Sequence, residues 1–82
     1  LAGKWASDGI RVNAIAPGWI ETEMTQGLRD DPDRTASIMD RTPMKRWGKT
    51  SEVGALVRWL VSDEASFVTG ATYPVDGGYL AI

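Results

Sequence analysis

A short segment, IRVNAIAPGWIET at residues 10–22, holds the residues best suited to bind a ligand. An apolar run ends at Pro17-Gly18, and an apolar pair and then Thr22 follow. Proline fixes its own φ angle and glycine has no Cβ, so the main chain can turn sharply here or pass close to a flat ligand. The main-chain groups beyond the turn and the Thr22 hydroxyl suit an amide, which needs a donor and an acceptor together. The alternative is a plain exit from a strand into a loop, because Pro-Gly turns are common.

Composition excludes several kinds of chemistry within this chain. The 82 residues contain no Cys and no His, which excludes disulfides, thiolate chemistry, a His-based general base and the usual zinc sites. The formal net charge is −2 with both signs mixed, so neither nucleic acid nor a membrane surface is expected as a partner. No apolar run reaches the length of a membrane span and no signal peptide is visible, which predicts a soluble cytoplasmic protein. The acidic residues are expected to be solvated and not to bind metal: Glu21, Glu23, Asp30, Asp31 and Asp33.

The first half of the chain is predicted to contain a helix end and a strand, which together position this segment. Residues 1–9 are typical of the end of a helix, with a glycine in the position of a left-handed cap. Residues 10–16 are apolar nearly without alternation, as in a parallel strand that is covered on both faces. Residues 17–49 are predicted to be a long loop, inside which Pro32 can begin a helix capped by Asp31.

The second half contains the strongest helical pattern. Residues 50–62 are predicted to be a helix, capped by Thr50 or Ser51. Its apolar face repeats at i, i+3, i+4, i+7 and i+8, at Val53, Leu56, Val57, Leu60 and Val61. Residues 71–75 are predicted to be a second short strand, and Asp76 is expected to cap the Gly-Gly turn after it.

The order of helix, strand, loop, helix and strand predicts an α/β protein. Two short strands do not make a stable parallel sheet, because such a sheet needs further strands and helical cover on both faces. The chain also begins with Leu, inside an apparent helix that has no start signal. We therefore expect the 82 residues to be a piece of a longer protein, with the rest of the sheet supplied from upstream.

Several spaced motifs together resemble the C-terminal third of the short-chain dehydrogenases/reductases. In chain order they are GIRVN from Gly9, Pro17-Gly18, Thr22, Arg46-Trp47-Gly48, a helix from Ser51 to Ser62, and GxxxxVDGG ending at Gly78. The resemblance covers nearly the whole chain. It implies the C-terminal portion of a single Rossmann-like domain, a doubly wound parallel sheet, in an oxidoreductase that interconverts an alcohol and a ketone with NAD or NADP.

The same resemblance implies a cofactor site. Pro17, Gly18, Ile20 and Thr22 match the segment that lies against the nicotinamide end of NAD(P) in the family. Ile20 would hold the carboxamide through its main chain, and Thr22 would hydrogen-bond to the carboxamide or the pyrophosphate.

A substrate loop and an assembly surface are implied as well. Residues 23–45 correspond to the family's mobile substrate loop, with an inner side lined by Met24, Leu28, Met39 and Met44. The alternative, slightly favoured, is that these four side chains merely pack a lid. The family commonly forms homotetramers through this helix and the last strand, which implicates Trp59, Val75, Tyr79 and Leu80.

The family's catalytic residues have no match in this chain. There is no Gly-rich phosphate turn, no matching Ser and no Tyr-x-x-x-Lys pair, since Tyr73 and Tyr79 lack a Lys four residues on. By family spacing that pair would lie roughly three helical turns before Leu1. No catalytic residue is therefore assigned, and the 82 residues alone are expected to be inactive. Lys45-Arg46 could contact a substrate anion, but a structural contact to the following turn is favoured.

The loop sequence resembles that of members acting on sugar acids, such as gluconate 5-dehydrogenase or 2-deoxygluconate 3-dehydrogenase. The 3-oxoacyl-carrier-protein reductases share the same frame and are one alternative. A stand-alone α/β interaction module without catalysis is another. Nothing in the sequence distinguishes NAD from NADP, because that choice is made near the second strand of the fold.

Overall fold

The chain alternates short helices with two strands, as a computed structural model describes for residues 1–81. The helices and strands are α1 (Ala2–Trp5), β1 (Ala14–Pro17), α2 (Gln26–Arg29), α3 (Pro32–Asp40), α4 (Thr50–Leu60) and β2 (Thr72–Val75). Single 3₁₀ turns lie at Ala6–Asp8, Glu23–Thr25, Asp63–Ala65 and Tyr79–Ala81.

The two strands are parallel neighbours, which confirms the prediction of an α/β fold. Ala14 pairs with Thr72 at one end of the ladder and Pro17 with Val75 at the other. The ladder continues one step beyond Pro17, where the Gly18 N–H donates to the Val75 carbonyl at 2.9 Å. Because the strands run in the same direction, the Pro-Gly turn and the Gly-Gly turn leave the sheet at the same edge.

The first strand is shorter than the predicted range of 10–16. It begins at Ala14, and before that point side-chain hydrogen bonds accompany the main-chain bond from the Gly70 N–H to the Val12 carbonyl, which is 2.8 Å long. The Asn13 amide donates to the Val68 carbonyl at 3.0 Å and accepts from the Ala71 N–H at 3.3 Å. The Val12 N–H donates to the Thr69 hydroxyl at 3.0 Å.

Two predicted helix caps are confirmed. Gly9 has a φ of 76°, a left-handed conformation that glycine adopts without a Cβ clash, and it closes the first helical segment. Asp31 caps α3, and its carboxylate accepts from the Asp33 N–H at 3.1 Å and the Arg34 N–H at 3.3 Å. Pro32 is the first residue of α3, as the sequence predicts.

The prediction that Thr50 or Ser51 caps α4 is wrong. The cap residue is Lys49, and both candidates lie inside the first turn of the helix. The Glu52 carboxylate, three residues into the helix, accepts from the Lys49 N–H at 2.9 Å and so satisfies that donor. The helix also ends at Leu60, two residues before the predicted end.

The described residues form an elongated body with little buried apolar surface. The Cα radius of gyration is 15.6 Å, against about 12 Å for a compact domain of this length. Among residues 1–81, the buried apolar side chains are Ile20, Leu60 and Ala65. On and after α4, Val61 is 75% exposed and Phe67 is fully exposed.

Candidate functional site

An open, mainly apolar cavity of about 420 Å³ lies where β1 leaves the sheet. We call it the strand-exit cavity. Its lining includes all four residues that the sequence predicts to bind the cofactor, Pro17, Gly18, Ile20 and Thr22. The other residues of its wall are Met24, Thr25, Thr50 and Val53. The start of α4 therefore forms part of the same wall as the Pro-Gly turn.

Gly18 is required here by packing within the chain. A Cβ at this position would lie 2.6 Å from the Asp76 Cβ and 2.7 Å from the Asp76 Cα, closer than real contacts allow. Gly18 is not among the positive-φ residues, so its missing Cβ matters here for close packing and not for a left-handed conformation. Its missing side chain lets the Pro-Gly turn lie directly against the Gly-Gly turn that follows β2.

Ile20 presents its main-chain groups away from the segment that it pairs with. The Gly48 N–H donates to the Trp19 carbonyl at 2.9 Å, and the Glu21 N–H donates to the Gly48 carbonyl at 2.8 Å. In an extended chain successive residues point to opposite sides, so the N–H and C=O of Ile20 point away from Gly48. Within residues 1–81, no acceptor is found for the Ile20 N–H, although the residue is only 9% exposed.

Thr25 and Arg29 hold the chain just after this point. The Thr25 hydroxyl lies 2.8 Å from the Ile20 carbonyl and 3.0 Å from the Thr22 N–H, and it bonds to both. The Arg29 guanidinium donates to the Thr22 carbonyl at 2.9 Å. Within residues 1–81, the hydrogen bond that the Thr22 hydroxyl donates is long, 3.5 Å to the Thr25 hydroxyl. It therefore keeps the capacity to donate to a ligand in the cavity.

The sequence reasoning missed three residues of this site. Thr25 carried a usable signal, because two threonines at positions i and i+3 around a helix start are typical of a capping pair. Thr50 and Val53 carried none, since only the fold brings the start of α4 to the Pro-Gly turn.

The four residues predicted to line the substrate loop do not come together. Met24 lies on the strand-exit cavity and is 95% exposed. Met44 instead lines a second cavity of about 300 Å³, which also includes Trp19 and Asp76. Leu28 and Met39 are half-buried on α2 and α3 and belong to the walls of neither cavity.

Arg46 makes the structural contact that the sequence favoured. Its guanidinium binds both oxygens of Glu52, at 2.8 and 2.9 Å, and also donates to the Trp47 carbonyl. The hydrogen bond from Arg46 lowers the pKa of Glu52 to about 2, with help from the Lys49 N–H. The neighbouring Lys45 ammonium donates to the carbonyls of Met39 and Asp40, both at 3.1 Å. Both cations thus bond to the chain itself, and Arg46, paired with Glu52, also lines the second cavity.

The residues expected at an assembly surface lie in separate elements. Trp59 is on α4 and is 37% exposed, whereas Leu80 follows β2 and is 66% exposed. Val75 and Tyr79 are half-buried. The expected cap by Asp76 is confirmed, because its carboxylate accepts from the N–H groups of Gly78 and Leu80, both at 3.0 Å.

Residues 1–81 contain neither a metal-binding cluster nor a membrane-spanning helix. No group of three or more acidic, His or Cys side chains is placed to hold a metal ion there. No helix in that range has the length and apolar character needed to cross a membrane.

Comparison with known proteins gives a consistent result. A family model described as enoyl-(acyl carrier protein) reductase matches residues 1–80. Galactitol 2-dehydrogenase (L-tagatose-forming) of Cereibacter sphaeroides is 51% identical over 79 residues, which are 96% of this chain and 31% of that protein. The 2-dehydro-3-deoxy-D-gluconate 5-dehydrogenase of Pseudoalteromonas atlantica is 48% identical over 80 residues, covering 98% of this chain and 32% of that protein. The chain thus spans about a third of the length of the curated relatives it matches.

Solved structures also match over nearly the whole chain. A gluconate 5-dehydrogenase from Burkholderia cenocepacia, in complex with NADP and tartrate, superposes with a TM-score of 0.90 at 38% identity. The match covers 99% of this chain and 32% of that one. A 4-hydroxyisoleucine dehydrogenase complexed with NADH gives a TM-score of 0.96 at 32% identity, over 99% of this chain and 33% of that one.

Proposed function

Because this chain belongs to the short-chain dehydrogenase/reductase family, we propose that it forms the nicotinamide side of an NAD(P)-dependent enzyme that interconverts an alcohol and a ketone. The proposal makes residues 1–82 the C-terminal third of that enzyme, and we call the longer protein the parent enzyme.

The observation that carries the proposal is the Ile20 main chain at the edge of an apolar cavity. A carboxamide on a flat ring needs a donor, an acceptor and apolar surface beside the ring. Ile20 supplies an N–H without a partner in residues 1–81 and a carbonyl with one remaining lone pair. Pro17 and Val53 supply apolar surface in the same wall. These residues fit a nicotinamide.

Four residues in or beside the strand-exit cavity then have distinct roles. Ile20 orients the carboxamide through its main chain, and the Thr22 hydroxyl donates to the cofactor. Thr25 and Arg29 fix the loop by the hydrogen bonds described above, so that the Ile20 groups are already oriented before the ligand arrives. When bound, NAD(P) supplies or accepts the hydride.

The proton-transferring residues are proposed to lie upstream, in the parent enzyme. The chain offers no Tyr-x-x-x-Lys pair, so proton transfer to or from the alcohol must come from another part of the protein. We propose that residues 1–82 alone are inactive, and that the parent enzyme assembles as a homotetramer through the helix that carries Trp59 and the strand that carries Val75.

Sugar acids and related polyols are the proposed substrates. Support comes from the relatives and structural neighbours above, which are named for galactitol, 2-dehydro-3-deoxy-D-gluconate and gluconate. The second candidate is an acyl-carrier-protein substrate, favoured by the description of the matching family model. A non-catalytic interaction module is disfavoured, because residues 1–81 bury too little apolar surface to make a compact domain.

The mass of the purified natural protein and a spectrophotometric assay test this proposal. We expect a mass about three times the 8.9 kDa of this chain, since the chain covers 31% of its relative. We then expect NAD(P)-linked absorbance change with gluconate or galactitol. A mass near 8.9 kDa would contradict the proposal that the chain is part of a longer enzyme. Turnover of acyl-carrier-protein thioesters alone would contradict the proposed substrate class.

Replacing Thr22 tests the cofactor site itself. Thr22→Val keeps the shape and removes the hydroxyl, so we expect the Kd for NAD(P)H to rise about two- to tenfold, as the loss of one neutral hydrogen bond predicts. Thr72→Val is the matched control, because Thr72 is exposed on β2 and does not line the strand-exit cavity. Equal affinities in the two variants would remove Thr22 from the site.

A further inference from the structure

The Gly-Gly turn after β2 contacts two regions that are far apart in sequence. We call residues 76–80 the terminal turn. On one side, its Asp76 lies against Gly18 of the strand-exit cavity, as the missing Cβ shows. On the other side, the Gly77 carbonyl accepts from the Met44 N–H at 3.0 Å. Met44 belongs to the end of the substrate loop.

The contact with the substrate loop is close over several residues. A Cβ on Gly78 would lie 2.9 Å from the Pro43 side chain, and one on Gly77 would lie 3.1 Å from the Thr42 side chain. Both glycines have positive φ angles, 62° and 92°, which other residues rarely adopt. The conformation therefore favours glycine at both positions and the spacing requires it at Gly78, so that the terminal turn can lie flat against residues 42–44.

Arg41 and Thr42 strengthen this junction from the loop side. The Arg41 guanidinium lies over the Tyr79 ring, with its Cζ 4.7 Å from the ring centre. Thr42 is 3% exposed, and its hydroxyl donates to the Ile38 carbonyl at 2.8 Å, which joins the junction to the end of α3. Asp76 holds the terminal turn itself through the N–H groups of Gly78 and Leu80.

The substrate loop is thus fixed at both of its ends. Its first end is bonded to the cofactor segment, where Thr25 and Arg29 bond to Ile20 and Thr22. We infer that the terminal turn is the second anchor, and that Arg41 and Tyr79 are positioning residues that set the substrate loop at a fixed place relative to the Pro-Gly turn. The name of this loop rests on the proposed function, whereas the junction rests on its own contacts.

Hydrogen exchange of the parent enzyme tests the anchor without a known substrate. Arg41→Met keeps the length of the side chain and removes the cation from the Tyr79 ring. Since a cation–π pair at an exposed site is weak, we expect the Met44 amide and its neighbours in residues 41–45 to exchange about two- to fivefold faster. Residues 50–60 should exchange at the wild-type rate. Arg41→Lys should restore most of the protection, and Arg58→Met is the control, because it removes an exposed arginine of α4.

Kinetics separate a positioning role from a merely structural one. With a sugar acid or polyol that the parent enzyme accepts as substrate, Arg41→Met should raise KM about two- to fivefold. Both kcat and the Kd for NAD(P)H should stay within twofold of the wild-type values. Unchanged exchange at residues 41–45, or faster exchange that is equal in residues 50–60, overturns the inference. Absence of NAD(P)H binding by the wild-type parent enzyme would overturn the proposed function instead, and the exchange result would still decide the role of the terminal turn.

Discussion

The exit of β1 is buried and hydrogen-bonded within the chain, whereas much of the apolar surface on and after α4 is exposed. At the exit, Ile20 is buried, Gly18 lies against Asp76, and the loop after it is held by several side-chain hydrogen bonds. On α4, by contrast, Val57 is exposed, and Val61 and Phe67 after its end are exposed as well, although their residue types favour burial. The hydrogen bonds that hold the loop after Ile20 therefore lie within residues 1–81, whereas we expect the cover for the exposed apolar residues to come from the rest of the parent enzyme.

Local hydrogen bonds therefore shape the strand-exit cavity, whereas apolar burial must stabilise it. Hydrogen bonds between residues close in sequence, such as Thr25 with Thr22, orient the main chain at the cavity. Each contributes only about 1 kcal/mol, which is far less than a full apolar core supplies. The geometry of residues 17–22 is thus expected to depend on an apolar layer that lies beyond the described residues.

The largest expected effect comes from a charge on the exposed apolar face. In the parent enzyme, Val61→Asp should cost at least about 3 kcal/mol in the free energy of unfolding, because it places a charge in a covered surface. In the isolated chain, where Val61 is 75% exposed, the same change should increase solubility. Chemical denaturation and sedimentation measure the two effects.

Ala55→Asp is the matched control, because it adds the same charge to an exposed position of α4. It should cost only about 0.5 kcal/mol, from helix propensity. Equal losses for the two variants of the parent enzyme would mean that the apolar face is not covered there.

A smaller effect is expected at the strand exit. Gly18→Ala places a Cβ 2.6 Å from the Asp76 side chain, so the Pro-Gly turn must move. We expect a loss of about 1–3 kcal/mol in stability, and weaker NAD(P)H binding in a fluorescence titration. Gly27→Ala is the control, since nothing lies within 4 Å of the added Cβ on α2. It should stabilise the protein slightly, and an equal result for both glycines would refute the packing argument.

The smallest effect is the acid sensitivity of the start of α4. Arg46 lowers the pKa of Glu52 from 4.5 to about 2, so the folded state favours the charged carboxylate. The stabilisation is therefore fully present above pH 4.5 and is lost as the pH falls through about 2. Thermal denaturation should show a lower Tm for Glu52→Gln than for wild type near pH 6, with the difference shrinking toward pH 2.

Glu64→Gln provides the comparison, because Glu64 makes no ion pair within the described part of the chain. It should leave Tm nearly unchanged across the same range. A constant difference between wild type and Glu52→Gln at every pH would show that the ion pair does not act on stability.

Local signals in the sequence predicted the caps but not the long-range contacts. Gly9, Asp31 and Asp76 act on neighbours within a few residues, and all three behave as predicted. The Lys49 cap of α4 was missed, because the Glu52 side chain that completes it is held in place by Arg46 from the preceding loop.

The candidate site was likewise only partly predictable from the sequence, because some of its contacts join distant segments. The family resemblance singled out Pro17, Gly18, Ile20 and Thr22, which lie on one wall of the cavity, whereas their spacing alone left a plain exit from the strand open. The opposite wall at Thr50 and Val53, the scattering of Met24 and Met44 between two cavities, and the start of β1 at Ala14 depend on contacts between distant segments. No periodic pattern in the sequence encodes those contacts.

The most direct test of the account is the methyl NMR signal of Ile20 in the parent enzyme during a titration with NADPH or NADH. We predict that the Ile20 δ1 methyl shifts in proportion to cofactor bound, while the exposed Ile10 does not shift. ADP-ribose, which lacks the nicotinamide, should bind without reproducing the shift. Cofactor binding that leaves the Ile20 signal unchanged, or an equal shift with ADP-ribose, would contradict the assignment of this segment to the nicotinamide.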